Sequence, residues 1–259
     1  MTIRYGARSL DAMRNREVEA TSVETWATTL VATYETDPEA VAAVLPSPLR
    51  PPASPLVRVT VATVDMGRGY PVFGAGTFAV HCSYDGVDGD YALVMPMTTE
   101  QAVIGGRETF GEPKKLAEVG LDRDGDRISG YCRRMGISFV EITGTITGEV
   151  EPALDRTRTS YYVKFLPAVT GKGFDADPVL VACRREERTR KQWAVDGSVL
   201  LTESRFDPVA DLPVRRLMGI ELAERSSRQS GDLVARMSAD AMAPFVHQRY
   251  DDLSPVGTD

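Results

Sequence analysis

The stretch VFGAGTFAVHCSYDGVDGDYALVMPM, residues 72–97, decides the fold. Two runs rich in β-branched, aromatic and small apolar residues, 72–84 and 90–97, flank Asp85-Gly86-Val87-Asp88-Gly89. Asp and Gly enter the turn conformations that reverse a chain, so the spacer reads as a turn and the pair of runs as a β-hairpin. Upstream, Val57, Val59 and Val61 alternate with Arg58 and Thr60, the period of a half-buried strand. Residues 24–36, rich in Thr, Val, Trp and Tyr, read as another strand. Asp37-Pro38 then opens a short helix that Pro46 ends. Downstream, Thr99 caps a helix from about 100 to 108, and Asp124-Gly125 marks a tight turn. A long β-rich stretch at 128–150 follows, with further strands at 159–167, 178–185, 192–204 and 215–225. The expectation is a mainly β (α+β) fold, a single domain with a large antiparallel, barrel-like sheet and short helices. A polar N-terminal arm (1–20) precedes the domain (21–250), and an acidic tail (251–259) follows it.

The 259 residues carry a net charge of −7. That balance argues against a nucleic-acid groove or an anionic membrane surface, while leaving room for a local basic pocket. The N-terminal residues lack the apolar core of a secretory signal, and no apolar run reaches membrane-spanning length. Cys82, Cys132 and Cys183 are odd in number and far apart, which predicts buried thiols in a reducing cytoplasm rather than disulfides or a zinc site. Two histidines, His81 and His247, do not make a His-rich metal site, and each reads as structural. Asp122, Asp124 and Asp126 look like the start of a calcium loop, but no glutamate closes it, so they read as a hairpin turn. No P-loop, dinucleotide-binding, HExxH or GxSxG motif occurs.

Only five lysines are present, and two of them, Lys114 and Lys115, follow Pro113 directly. Arginine stays protonated in proteins, whereas a buried lysine can lose its proton and act as a nucleophile. The pair is either a solvated loop feature or a reactive centre. The surrounding string GRETFGEPKKLA, residues 106–117, resembles the signature of the acetoacetate decarboxylase family. YETDPEAVAAVLPSP (34–48), GVDGDY (86–91), YYVKFLP (161–167) and DLPV (211–214) resemble further landmarks of that family, in order along the chain.

The resemblance implies a barrel-like fold, a homo-oligomer, a small keto-acid substrate, and neither a metal nor an organic cofactor. It also implies that Lys114 forms a Schiff base with the ketone. An imine drains electrons from a breaking carbon–carbon bond better than a ketone does, but only an unprotonated amine can form it. Free lysine, with a pKa of ~10.4, supplies roughly one such molecule in a few thousand at neutral pH. Burial or a neighbouring cation shifts that balance, and the family is itself the standard example. Adjacent residues of an extended chain point to opposite sides, so Lys115 is expected to assist from a distance while an apolar pocket does much of the work.

Other candidate residues follow from the same segments. Arg107 and Glu108 end the helix before the lysines, either as an ion pair that positions the loop or as pocket residues. Glu112 stands where the family often has an aromatic residue, and a carboxylate there is a candidate acid or base. Met95 and Met97 share one face of their strand and line either the pocket or the core. Laid on this chain, the family's carboxylate-binding arginine falls near Ala27, and its two pocket glutamates fall at Thr60 and Ala75. Arg16 and Arg58 are candidate substitutes for the arginine, Arg58 because it shares a strand face with Thr60. These replacements point to iminium chemistry on a different substrate. The candidate reactions are decarboxylation of a bulkier β-keto acid, aldol chemistry with dehydration, and β-dicarbonyl cleavage. Tyr250 is a candidate proton shuttle for an aldol route. The alternative from another class is a small-molecule binding protein on the same fold.

Overall fold

A computed structural model describes residues 3, 5–11, 25–67 and 69–251. Most of the expected N-terminal arm, including Arg16, and the tail beyond Asp251 lie outside the described residues.

The expected hairpin is present. Strand β3 (Phe73–Tyr84) pairs antiparallel with β4 (Val87–Met97). Its turn is shorter than the sequence suggests: Asp85 and Gly86 alone make it, with φ of 49° and 76°. Both angles are positive, as the two-residue turn that matches strand twist requires. Upstream lie β1 (Thr25–Glu35), helix α1 (Pro38–Val44) and β2 (Leu56–Asp65). Asp37 occupies the N-cap of α1, but its carboxylate binds Arg215 rather than the helix. Helix α2 (Glu100–Phe110) follows β4 from its N-cap Thr99.

Seven strands close on themselves. With β9 (Arg156–Lys164), β10 (Val179–Leu201) and β11 (Arg216–Arg236), the order β11-β1-β2-β3-β4-β9-β10 returns to β11 through its long pairing with β10. Most pairs in this ring are antiparallel; β4 with β9 is parallel. The far half of β10 leaves the ring to pair with β8 (Ile137–Val150). The meander β8, β7 (Arg127–Arg134) and β6 (Glu118–Asp124) continues from there.

The side-chain period of two divides the barrel into two environments. Outward-facing Leu30, Val59, Val61 and Phe78 are buried, because the meander covers them with Ile128, Phe139 and Ile142. At Gly130 on β7, an added Cβ would lie 3.1 Å from Val61 and 3.2 Å from Leu30. The main core therefore sits outside the barrel wall. Inward-facing Arg58, Thr60, Ala75 and Arg185 line a polar lumen.

That polarity explains two corrections to the sequence reading. The strands expected at 178–185 and 192–204 are one strand of 23 residues. Residues 184–191, Arg-Arg-Glu-Glu-Arg-Thr-Arg-Lys, lack apolar alternation because one face meets the lumen and the other meets solvent. Strand β11 likewise runs well past residue 225 through Arg228 and Gln229. The stretch expected at 128–150 is two strands joined at Met135-Gly136, where φ is 48° and 82°. Among the described residues no helix is long and apolar enough to cross a membrane.

Candidate active site

Helix α2 delivers the lysines. It ends at Gly111, whose φ of 77° is left-handed and whose N–H closes the helix on the Arg107 and Gly106 carbonyls. A Cβ at Gly111 would lie 2.5 Å from the Lys164 backbone, so both conformation and space call for glycine. The Lys114 N–H donates to the Glu112 carbonyl at 2.8 Å, a three-residue turn around Pro113. This turn leaves the Glu112 and Lys114 side chains on the same side. Strand β5 (Lys114–Leu116) then runs parallel to β4, with Lys114 opposite Met95.

Alternation along β5 separates the two amines. Lys114 Nζ lies 2.7 Å from Glu112 Oε2, in the lumen. Lys115 Nζ lies on the other side, 3.1 Å from Asp207 and 3.0 Å from Asp251, where Arg134 also binds both carboxylates. The cation expected to help Lys114 is thus balanced by two carboxylates of its own.

Glu112 is the most enclosed charge of the site, with only 1% of its surface exposed. Its other oxygen accepts from Gln229 Nε2 at 3.0 Å. Gln229 Oε1 in turn accepts from Arg185 Nη2 at 3.0 Å. A continuous chain, Arg185–Gln229–Glu112–Lys114, therefore fixes the carboxylate against the amine. Gly106 makes room for it: a Cβ there would sit 2.0 Å from Glu112 Oε2 and 2.6 Å from Lys114 Nζ.

The walls around this pair are apolar. Ala79, Ala92, Met95, Met97, Tyr162 and Cys183 form a cluster separate from the main core, with Ala75 and Phe110 packed against it. Burial pushes the Cys183 thiol up to about 12, and Glu112 adds to the effect. Burial and Glu112 likewise raise the Tyr162 hydroxyl, which stays protonated. Cys82 and Cys132 are also buried free thiols raised to about 12 by burial.

Deeper in the lumen stands a row of arginines. Arg58 pairs with Asp90, and its Nη2 lies 3.1 Å from His81 Nε2. Arg156 and Arg158 share Glu187, each at 3.1 Å. Arg225 holds Glu221 at 2.7 Å. The crowding is visible in Arg58, which burial, Arg158 and Arg156 push down to about 10. Burial, Arg58 and Arg158 push His81 down to about 4, so it is neutral at neutral pH.

The structure places the other candidates as follows. Thr60 and Ala75 are on the lumen face, as are Met95 and Met97. Arg58 faces the lumen too, but Asp90 engages its guanidinium. Arg107 binds the Lys114 carbonyl at 3.0 Å and the Arg249 carbonyl at 3.3 Å, so it anchors the loop through backbone groups. Glu108 is exposed on α2. The Tyr250 ring packs against Arg107 and Phe165, on the outer core. Sequence reasoning missed Arg185, Gln229, Glu187 and the Arg156/Arg158 pair. Their signal was the period-two spacing of Arg185, Glu187 and Thr189 along one strand face.

The site is thus a lysine–carboxylate pair held between an apolar cluster and a row of lumen arginines, inside a closed barrel. Residues 12–237 match the acetoacetate decarboxylase (ADC) family, and the chain belongs to that family as an acetoacetate decarboxylase-like lyase. It is 30% identical over 200 residues to the acetoacetate decarboxylase of Chromobacterium violaceum, covering 73% of this chain and 78% of the relative. The Burkholderia vietnamiensis acetoacetate decarboxylase is 29% identical over 196 residues, with the same coverage. The fold is shared with the acetoacetate decarboxylase of Legionella pneumophila (TM-score 0.74, 20% identity, covering 83% of this chain and 88% of that one). It is also shared with the enduracididine biosynthesis enzyme MppR complexed with the condensation product of pyruvate and imidazole 4-carboxaldehyde (TM-score 0.68, 16% identity, covering 81% and 88%).

Proposed function

We propose that Lys114 attacks the ketone of a β-keto acid to form a Schiff base, and that Glu112 carries the protons. The observation that supports this most directly is the 2.7 Å contact between Lys114 Nζ and the enclosed Glu112 carboxylate. Glu112 takes a proton from the ammonium, and the free amine adds to the carbonyl carbon. The carbinolamine takes a proton and loses water to give the iminium. The bond to the carboxyl carbon breaks, CO2 leaves, and its electron pair enters the enamine. Protonation at carbon and hydrolysis release the ketone and restore the amine. The apolar walls keep bulk water from the enamine and strengthen the interaction of Glu112 with the cationic intermediates.

A second reading, aldol addition with dehydration, uses the same lysine and enamine. The MppR complex with a pyruvate–aldehyde condensation product favours it, as do the uncharged residues at Ala27, Thr60 and Ala75. Lys115 is assigned a positioning role through Asp207 and Asp251. The test is cyanoborohydride reduction with a panel of keto acids, followed by intact mass and peptide mapping. A reduced adduct on Lys114 is expected. Absence of any adduct in folded protein, with active relatives trapped in parallel, would sink the Schiff-base reading. Assaying CO2 release against carbon–carbon bond formation then separates the two reactions.

A further inference from the structure

Arg158 on β9 and Arg185 on β10 are direct cross-strand partners, and both face the lumen. Side chains so placed start about 5 Å apart at Cβ, and like charges directly opposite are destabilising unless something anionic lies between them. Glu187 binds Arg158 and Arg156 together, at 3.1 Å each. The hydrogen bond of Arg185 is to the neutral amide of Gln229, through Nη2. Among the described residues Arg185 has no carboxylate partner in hydrogen-bonding contact, and its Nε and Nη1 are left for a ligand. Arg156 adds a buried Nη2 without a hydrogen-bond partner. Of the lumen arginines, Arg58 pairs with Asp90, Arg156 and Arg158 with Glu187, and Arg225 with Glu221, while Glu112 pairs with Lys114 and Arg185 with no carboxylate among the described residues.

We propose that Arg185, backed by Arg158, is the receptor for a second carboxylate of the substrate, so that the lumen takes a dicarboxylic keto acid. The position follows from the hydrogen-bond chain: Gln229 and Glu112 separate Arg185 from the Lys114 amine, placing the anion site along the lumen from the reacting ketone. The chemistry argues that the held carboxylate is not the one that leaves. An arginine fork stabilises a carboxylate more than the CO2 it would become, so gripping the leaving group would stabilise the ground state over the transition state. A carboxylate on Arg185 is therefore one the substrate keeps. This assignment rests on Lys114 as the ketone-binding residue only for its orientation, not for the anion site itself.

The test uses glutarate, a diacid without a ketone that cannot form an imine, against butyrate as the monoacid. Isothermal titration calorimetry on the full chain is expected to show glutarate binding more tightly by about tenfold or more, the scale of a hydrogen bond to a charged group. R185Q, with its fold checked by circular dichroism, should erase that preference. R185K, which keeps the charge but loses the planar fork, should retain part of it. K114R, which keeps the positive charge beside Glu112 but forms no stable imine, should retain the preference, so a failed Schiff-base reading and a failed anion site give different results. Equal binding of glutarate and butyrate by the wild type, no binding of either, or an unchanged preference in R185Q would each overturn the proposal.

Discussion

Lys114 and Lys115 are neighbours in sequence, yet their amines are held on opposite sides of β5. Glu112 lies 2.7 Å from the first, and Asp207 and Asp251 lie 3.1 and 3.0 Å from the second. Two lysines in one motif thus serve two structures. One faces the barrel lumen; the other ties the strand to the loop at Asp207 and to the chain at Asp251. The conservative swap K114R separates charge from nucleophilicity, because guanidinium can still pair with Glu112 but forms no stable imine. It should keep the fold and lose all cyanoborohydride trapping, as read by intact mass.

For Lys115 the expectation is a stability defect. Its amine is buried with Asp207 and Asp251, and removing one partner of a buried ionic group leaves the others uncompensated. Lys115→Met should lower unfolding free energy by on the order of 3 kcal/mol, with Arg134 retaining part of the network. Denaturant melts would show this, and Lys114 should still trap keto acids below the melting range. A collapse of trapping at neutral pH in a variant of unchanged stability would instead give Lys115 a direct electrostatic role.

Glu112→Gln preserves shape and the contact with Gln229 but removes the proton acceptor beside the amine. Turnover is expected to fall by about 10²–10⁴-fold, the usual contribution of a positioned acid–base group. Adduct formation should slow in parallel, because the first proton removed is that of the ammonium. Turnover within a few-fold of wild type would exclude Glu112 as the proton carrier.

Gly106→Ala sets helix preference against the site. Alanine is favoured over glycine inside a helix by about 1 kcal/mol. Here its Cβ would lie 2.0 Å from Glu112 Oε2, so carboxylate and amine must move. A shift of about 1 Å in reacting groups costs on the order of a hundredfold in rate. The variant is expected to fold and to lose activity by at least that factor; full activity would show that the ion pair tolerates displacement.

Much of this arrangement was legible from the chain, but unevenly. The Asp85-Gly86 hairpin and the valine alternation at 57–61 carried local signals, because one face of each strand meets the apolar core. The Pro113-Lys114-Lys115 string pointed to the candidate site, and Glu112, also a candidate from the sequence, lies 2.7 Å from Lys114 in the fold. The segment from Arg184 to Lys191 was not legible as strand, because a barrel with a charged lumen removes the apolar period that marks one. The period-two spacing of Arg185, Glu187 and Thr189 put Arg185 on one strand face, but nothing local tied it or Gln229 to Glu112. Gln229 reaches Glu112 across 117 positions of sequence and Arg185 reaches it only through Gln229, a chain that closure of β10 on β11 brings together. Nor does adjacency in sequence reveal that Lys115 has its own carboxylates, one of them from Asp251 near the C-terminus.

The lumen also predicts an acid limb in stability. His81 is pushed down to about 4 by burial first and by Arg58 and Arg158 next; its Nε2 lies 3.0 Å from Asp90 Oδ1, but the other oxygen of Asp90 is engaged by Arg58, which also lies against the ring. An unfolded histidine titrates near ~6.5, so between about pH 6.5 and 4 the unfolded chain binds the extra proton. The stabilisation from a neutral His81 is therefore complete above pH ~6.5 and is lost as the pH falls toward 4. The shift corresponds to about 3 kcal/mol, taken as an order of magnitude. Chemical denaturation at a series of pH values should show this slope in the wild type, and a much flatter one in His81→Gln. Retention of the full slope in the variant would assign the acid limb to the carboxylates of the lumen instead.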